Sequence, residues 1–341
     1  MQRYDITQSY DWNYDHAPDE APSLATPSCS GSWSFCGIPI NSPLGIPAGP
    51  LLNSRWILYY AGLGFDVLTY KTVRTRHRAS FEPPNLLPVT ANALEHEGSE
   101  IDAGSGDGGV HSWAISFGMP SKDPAVWQED VARARKGMQQ GQVLVVSVVA
   151  SPERDWSMEQ VAADFAQCAR WAADAGAHAV EANFSCPNVC SKEADLYLDA
   201  EASRLIAFSM RAAVPELPLI LKIGLFQRRY QAEALVRAVS PFVNALSTTN
   251  SISAKVRGQF SGLRRGIGGA CITGRCMEEL QMLREIVEDT ASPLELIGVG
   301  GVMKAGDVQD RLAAGAHHVQ LATAAMLDPE IAIRIRTDLT L

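Results

Sequence analysis

Short runs rich in Val, Ile and Leu recur along the chain, and most are followed by a stretch with an amphipathic helical period. The runs are SPLGIPAG (42–49), FDVLTYKTV (65–73), VLVVSVVA (143–150), HAVEANFS (178–185), LPLILKIG (217–224), VNALSTTN (243–250), LELIGVGG (294–301) and HHVQLATA (317–324). Apolar residues three and four apart predict helices in SMEQVAADFAQCARWAADAG, EASRLIAFSMRAAV, YQAEALVRAVSP, CMEELQMLREIVED and AGDVQDRLAAG. Strands that are apolar at nearly every position are buried on both faces, the mark of a parallel sheet covered by helices. Eight such units predict an α/β protein folded as a (β/α)8 TIM barrel. An open dinucleotide-binding sheet is disfavoured, because no GxGxxG follows the first strand.

The pattern is interrupted twice. Residues 1–35 are polar, acidic and rich in Tyr, Asp, Ser and Pro, without a helical period, and read as an N-terminal extension that wraps the surface or is partly disordered. Residues 36–341 then form one barrel domain. Within it, positions 83–136 break the repeat with Pro, Gly and Ser, including DAGSGDGGVHSWAISFGMPSKDP. An insertion of that length after a barrel strand predicts a lid or substrate loop.

In such a barrel the C-terminal strand ends open onto one mouth, so polar residues there share a site. The ends offer Lys71, then Asn183, Ser185, Cys186 and Asn188, then Lys222, Thr249, Asn250 and Ser251, and finally Gly300, Gly301, Ala322 and Thr323. Lys222 stands inside an apolar strand, where an ammonium is costly to bury unless it serves as a counter-charge. Gly300 and Gly301 precede a helix expected from about Ala305 and, with Thr323 at the next strand end, suggest a phosphate nest. Gly268 and Gly269 in RRGIGGACITG form another glycine cluster before a helix. A phosphate at such a site belongs to a sugar phosphate or to flavin mononucleotide. A cation deep in the mouth suits the electron-rich N1/O2 edge of a reduced flavin, or alternatively Schiff-base chemistry; carboxamides and a thiol around one small molecule favour the flavin.

Composition narrows the classes further. With 46% hydrophobic and 20% charged residues the chain is an ordinary globular protein, and no run reaches the roughly 18 apolar residues of a membrane span. A formal charge of −9 argues against nucleic acid as the main partner. The basic stretch YKTVRTRHR (70–78) could face a phosphate or a carboxylate but reads mainly as a solvated loop, with Lys71, at the end of a strand, as the exception. Seven cysteines in irregular spacing, with no signal-like N-terminus, predict a reduced, cytoplasmic protein without a disulfide framework. Cys186 and Cys190 have no nearby histidine pair, so no metal site is expected.

EANFSCPNV (181–189) closely resembles the ELNLSCPNV signature of class 1 dihydroorotate dehydrogenases, flavin-dependent barrels that oxidise dihydroorotate to orotate. The likeness extends from about Ile38 to Pro329 through NSPLGIPAG, LTYKTV, LKIG, TTNSI, GIGGACI, IGVGGV and VQLATAAM. It implies a role for each matching position. Cys186 corresponds to the general base that removes a proton from C5 while hydride leaves C6 for flavin N5. Asn183, Asn188, Asn250 and Ser251, with Lys71, correspond to substrate-binding residues. Ala48, Gly49, Lys71, Asn183, Lys222, Gly268, Gly269, Gly300, Gly301, Ala322 and Thr323 correspond to FMN-binding positions. Class 2 enzymes carry Ser where Cys186 stands, so the thiol points to class 1, and the resemblance also implies a homodimer.

Two positions depart from the family pattern. The flexible-loop motif NSMGLPN has its counterpart in ISFGMPS (115–121), so Ile115 replaces a substrate-binding amide, and PAG (47–49) replaces ASG. An alternative with the same fold and cofactor is therefore an FMN-dependent dehydrogenase or ene-reductase acting on a different cyclic amide or ene. A phosphate-binding lyase without flavin and a non-catalytic binding barrel are the readings outside this class. Because the N-terminal residues are acidic rather than apolar and amphipathic, a membrane quinone is disfavoured. The expected acceptor is soluble: fumarate, oxygen, or a partner flavoprotein passing electrons to NAD.

Overall fold

The computed structural model describes residues 1–22, 24–94, 96–104, 111–185 and 195–339. In chain order the strands are β1 (Trp33–Phe35), β2 (Ile38–Ile40), β3 (Leu44–Ile46), β4 (Val67–Val73), β5 (Leu86–Thr90), β6 (Glu100–Ala103), β7 (Ser112–Ile115), β8 (Val143–Val148), β9 (Ala179–Asn183), β10 (Leu219–Lys222), β11 (Ala245–Thr248), β12 (Ile252–Val256), β13 (Arg264–Gly269), β14 (Glu295–Val299) and β15 (His318–Gln320). The helices are α1 (Tyr10–Asp15), α2 (Ser54–Ala61), α3 (Pro124–Gly137), α4 (Met158–Asp174), α5 (Ala200–Ala213), α6 (Arg229–Val239), α7 (Thr273–Asp289), α8 (Ala305–Ala313), α9 (Thr323–Leu327) and α10 (Ile331–Leu339). The eight apolar runs become β3, β4, β8, β9, β10, β11, β14 and β15, which close in that order into a parallel barrel.

Both faces of these strands are buried, and alternate residues serve different cores. Val67, Val143, Val145, Ala179, Ile220, Ala245 and Ile297 cluster inside the barrel. The intervening Leu68, Leu144, Val146, Val180, Leu221, Leu246 and Leu296 pack under the helices. The antiparallel hairpin β1–β2 joins the interior cluster through Phe35 and Ile40 and plugs the N-terminal end. One position later in the inward set, the barrel turns polar: Thr69, Ser147, Glu181, Lys222, Ser247 and Gln320 are all buried. This change from apolar to polar along the barrel axis positions the site.

His318 belongs to the apolar end. Its ring meets Phe35 edge-on at 5.2 Å, and neither ring nitrogen has a hydrogen-bond partner among the described residues. Gly45 on the adjacent strand makes room for it, since a Cβ there would lie 2.6 Å from His318 Nε2. Burial pushes the imidazole pKa down to about 3. The unfolded chain, with an ordinary histidine near pH 6.5, therefore takes up a proton that the folded chain refuses. This group's contribution is fully present above about pH 6.5 and is lost as pH falls, at about 1.4 kcal/mol per pH unit. Comparing thermal midpoints of wild type and His318→Leu between pH 6.5 and 5 should show a flatter profile in the variant. Parallel profiles would refute the assignment.

The segment 83–136 divides into two parts. Its last residues form α3, an ordinary barrel helix tied to α2 by Asp130, which accepts from the Ser54 amide and hydroxyl at 2.6 Å and from the Tyr70 hydroxyl at 2.8 Å. The earlier part supplies β5, β6 and β7, which pair with β12 and β13 in a closed five-stranded sheet. Its own core includes Val89, Ile101, Ala114, Ile252, Ala254 and Ile267. The RRGIGGACITG stretch is thus a cap strand that runs into α7, rather than a glycine turn alone. It forms a hairpin with the preceding β12, but its pairing with β7 is non-local, so no period in the stretch itself announces that partner.

The described N-terminal residues are packed on the barrel. Ser9 caps α1 by accepting from the Trp12 amide at 3.1 Å, and Tyr4, Tyr10 and Ala17 enter the main core. Asn85 Oδ1 accepts from the Tyr10 amide at 2.9 Å, and Asn13 accepts from Trp56 Nε1 through its carbonyl at 3.0 Å. The polar composition conceals this because the buried groups are aromatic rings with isolated spacing.

Candidate active site

A single cleft at the C-terminal strand ends contains about 1190 Å³ of empty space including its solvent-open mouth. The barrel forms its floor and the cap strands β7 and β13 overhang it, through Trp113 and Ile115 on one and Gly268 and Gly269 on the other. The β3 end brings Pro47, Ala48 and Gly49 to the same cleft.

On the floor lies a buried charge pair. Lys222, at the end of β10, donates from Nζ to Ser247 Oγ at 3.2 Å, and Glu181 on neighbouring β9 is its electrostatic partner. Burial pushes the Lys222 pKa down to about 8, against the pull of the Glu181 carboxylate. Burial likewise raises Glu181, opposed by Lys222 and by a hydrogen bond from Ser147. An ammonium poised this way can answer charge that develops on a bound ligand.

Next to that pair stand the amides. Asn250 Nδ2 donates to Asn183 Oδ1 at 3.4 Å and to the Ser185 carbonyl, while Asn250 Oδ1 accepts from the Ser251 amide at 2.9 Å. Asn183 Nδ2 approaches Thr72 Oγ1 at 3.5 Å and Met119 Sδ at 3.7 Å. These contacts orient two carboxamides at the ends of β9 and β11 toward one another. Lys71 Nζ, at the β4 end, lies 5.3 Å from the centroid of the Phe117 ring.

The opposite corner is built from backbone. Gly300 and Gly301 adopt φ of 99° and 71°, and added Cβ atoms would come within 2.5 Å of Cys276 Sγ and 2.6 Å of the Thr273 amide nitrogen. Only glycine fits both the conformation and the space. Thr273, the first residue of α7, donates its hydroxyl to the Gly301 carbonyl at 2.8 Å, and Ala322 and Thr323 complete the corner at the start of α9.

The predicted residues Ala48, Gly49, Lys71, Asn183, Lys222, Thr249, Asn250 and Ser251 line this cleft, with Gly268, Gly269, Gly300, Gly301, Ala322 and Thr323, whereas Ser185, also expected at the mouth, is not among its lining residues. Cys186 and Asn188 lie outside the described residues. Sequence reasoning missed Tyr4, Glu181, Trp113, Phe117 and Gln320, which also line the cleft. Glu181 and Gln320 could have been found from strand parity, since each falls two residues from an inward-facing apolar or polar position. Tyr4, Trp113 and Phe117 carry no such signal, because they arrive from outside the barrel repeat.

The residues present fit a flavin mononucleotide. Gln320 lines the cleft and brings a carboxamide to its floor. Lys222 supplies positive charge, and the Gly300–Gly301 corner offers close backbone approach of the kind that binds phosphate. Cap and barrel together define a flavin-type (β/α)8 oxidoreductase.

Comparison with known proteins narrows that class. The family model for dihydroorotate dehydrogenase matches residues 115–341. Dihydroorotate dehydrogenase from Dictyostelium discoideum is 31% identical, covering 97% of this chain and 95% of that protein. The quinone-type dihydroorotate dehydrogenase of Clavibacter sepedonicus is 27% identical over 89% of this chain and 83% of its own. The catalytic subunit of the NAD(+)-type enzyme from Solidesulfovibrio magneticus is 28% identical over 48% of this chain and 53% of its own. The solved structure of Eimeria tenella DHODH in complex with ferulenol matches the fold with a TM-score of 0.75 at 16% identity, over 96% of this chain and 88% of that one. The chain belongs to the dihydroorotate dehydrogenase family, FMN-dependent oxidoreductases acting on CH–CH bonds.

Proposed function

We propose that this protein is a class 1-type enzyme that oxidises dihydroorotate to orotate. The observation that carries the reading is the meeting of Lys71, Asn183, Asn250 and Ser251 with Lys222 and the Gly300–Gly301 corner in one cleft. The cations and carboxamides match a small cyclic imide bearing a carboxylate: Lys71 opposes the carboxylate, and Asn183 and Asn250 engage ring amide groups. FMN held by Lys222, Gln320, Gly300, Gly301 and Thr323 supplies the hydride acceptor. Cys186, one residue beyond Ser185, takes the proton from C5; that role rests on the resemblance of the Cys-Pro-Asn motif. A thiol in this role needs its pKa lowered or its proton transfer assisted, because free cysteine titrates near pH 8.5.

The cysteine in that motif supports class 1. No helix among the described residues is long and apolar enough to cross a membrane. The class 1 resemblance is what supports a soluble acceptor, a cytoplasmic location and a homodimer. Relatives that use quinone and NAD(+) both align, so the acceptor is the finer part of the proposal.

Ile115 favours a second reading. It lines the cleft on β7, placing an alkyl group where an amide would give a polar contact, and thereby suits a different cyclic amide or ene on the same fold and cofactor. One experiment separates the two: anaerobic addition of dihydroorotate to the purified yellow protein. Full bleaching of the visible flavin band is the expected result. A flavin band left oxidised would move the substrate to the second reading.

A further inference from the structure

Behind the Gly300–Gly301 turn stands a cation that does not itself line the cleft. Arg311, on α8, is 1% exposed. Its guanidinium donates from Nη2 to the Gly300 carbonyl and from Nη1 to the Asp307 carbonyl at 3.2 Å. Gly298 makes room for the side chain, since a Cβ there would lie 3.2 Å from Arg311 Cδ. Among the described residues Arg311 forms no ion pair, and the carboxylates of Asp307 and Asp310 act on it only through space. A guanidinium taken this far out of water is costly to hold without an opposing charge nearby.

The contact with Gly300 fixes a direction. The Gly300 carbonyl and the Gly301 N–H belong to one trans peptide unit, so the N–H points opposite to the C=O. With the carbonyl held toward Arg311, the Gly301 N–H is turned toward the cleft that both glycines line. Polarisation acts in the same sense. A charged donor on the carbonyl draws electron density from the amide nitrogen and makes its N–H a stronger donor.

The rest of the turn is committed elsewhere. The Met303 and Lys304 amides both donate to Asp307 Oδ2, at 2.7 and 3.1 Å, and the Gly301 carbonyl accepts from the Thr273 hydroxyl at 2.8 Å. The Gly301 N–H has no hydrogen-bond partner among the described residues. An anion is therefore served from the glycine end of the turn, the end that Arg311 holds.

We propose that Arg311 is a positioning residue for the FMN phosphate: its guanidinium orients and polarises the Gly300–Gly301 peptide from the far side, so that the turn selects a flavin that carries a phosphate. This rests on the placement of the FMN phosphate at the Gly300–Gly301 corner, given above.

The test equilibrates the full-length holoenzyme with mixtures of FMN and riboflavin, which lacks the phosphate, and measures the ratio of the two flavins bound. Arg311→Met should cut the preference for FMN about tenfold, the loss typical of one charge-assisted hydrogen bond, while riboflavin binds as it does to wild type. Arg311→Lys, which keeps a cation behind the turn, should retain most of the preference. Arg311→Gln takes the place of Arg311→Met in the comparison if the latter does not fold. A merely structural role loosens both flavins equally: total flavin falls at a wild-type ratio, and that result overturns the proposal. An unchanged ratio at full flavin content overturns it as well. A wild type that takes up riboflavin as readily as FMN is a different outcome, because it removes the phosphate from the glycine corner and the Arg311 assignment falls with that placement.

Discussion

Cys186→Ala is expected to lower the rate of flavin reduction by dihydroorotate by about 10²–10⁴-fold while leaving FMN content and orotate affinity near wild type. The physical reason is that the C5 proton is only weakly acidic, and a positioned base lowers the barrier when it accepts that proton as hydride departs. Alanine removes the acceptor and little else, since it is small and apolar as a free cysteine is. Cys186→Ser should fall between the two, with its rate rising further with pH, because far less of a hydroxyl than of a thiol is ionised at neutral pH. Anaerobic rapid-mixing measurements of flavin bleaching isolate this half-reaction from reoxidation. A wild-type bleaching rate in Cys186→Ala would remove the cysteine from the mechanism and leave the base to another group in the cleft.

Lys222→Met is the second large effect, and it acts on both stability and cofactor binding. Lys222 is buried on the cleft floor against Glu181, so removing the ammonium leaves a carboxylate with its nearest counter-charge gone. For a direct buried ion pair such a loss costs about 3–5 kcal/mol, and here, where the two charges interact without a direct contact, the loss should be smaller. The protein should lose thermal stability and copurify without its yellow colour. Adding Glu181→Gln relieves the orphaned charge, so the double variant Glu181→Gln/Lys222→Met should recover most of the stability but not the FMN affinity. That split distinguishes a flavin-contacting cation from a merely structural one. If the double variant binds FMN as tightly as wild type, Lys222 has no role at the cofactor. The pH dependence has a definite sign: with a pKa of about 8 in the cofactor-free protein, the positive charge is present below that value and disappears above it. FMN affinity should therefore decline as pH rises through about 8.

How much of this was legible in the chain depends on which physical rule set each feature. The (β/α)8 barrel was readable because each strand is buried on both faces. That burial leaves near-continuous Val, Ile and Leu, and the helices between show their own period in stretches such as SMEQVAADFAQCARWAADAG. Lys71, Asn183, Lys222, Asn250 and the Gly300–Gly301 pair were readable for a related reason: the fold brings the strand ends to one mouth, so position in a strand stands in for position in space. Residues outside that repeat were hidden. Tyr4 reaches the cleft because side chains of α2 and the β5–β7 region pack against the N-terminal segment, and nothing in its acidic surroundings signals a buried ring. β12 and β13 close the cap by pairing with β6 and β7, strands more than 130 residues away in sequence, and register across such a gap is chosen by packing rather than by local pattern. The floor charges follow the same logic. The sequence by itself determined that a barrel with a polar mouth would form, because burial and periodicity are local properties of each strand. Only the tertiary structure decided that Glu181 answers Lys222, that Ile115 and Phe117 wall the cleft, and that Tyr4 enters it, because those neighbours are made by long-range packing that no single segment encodes.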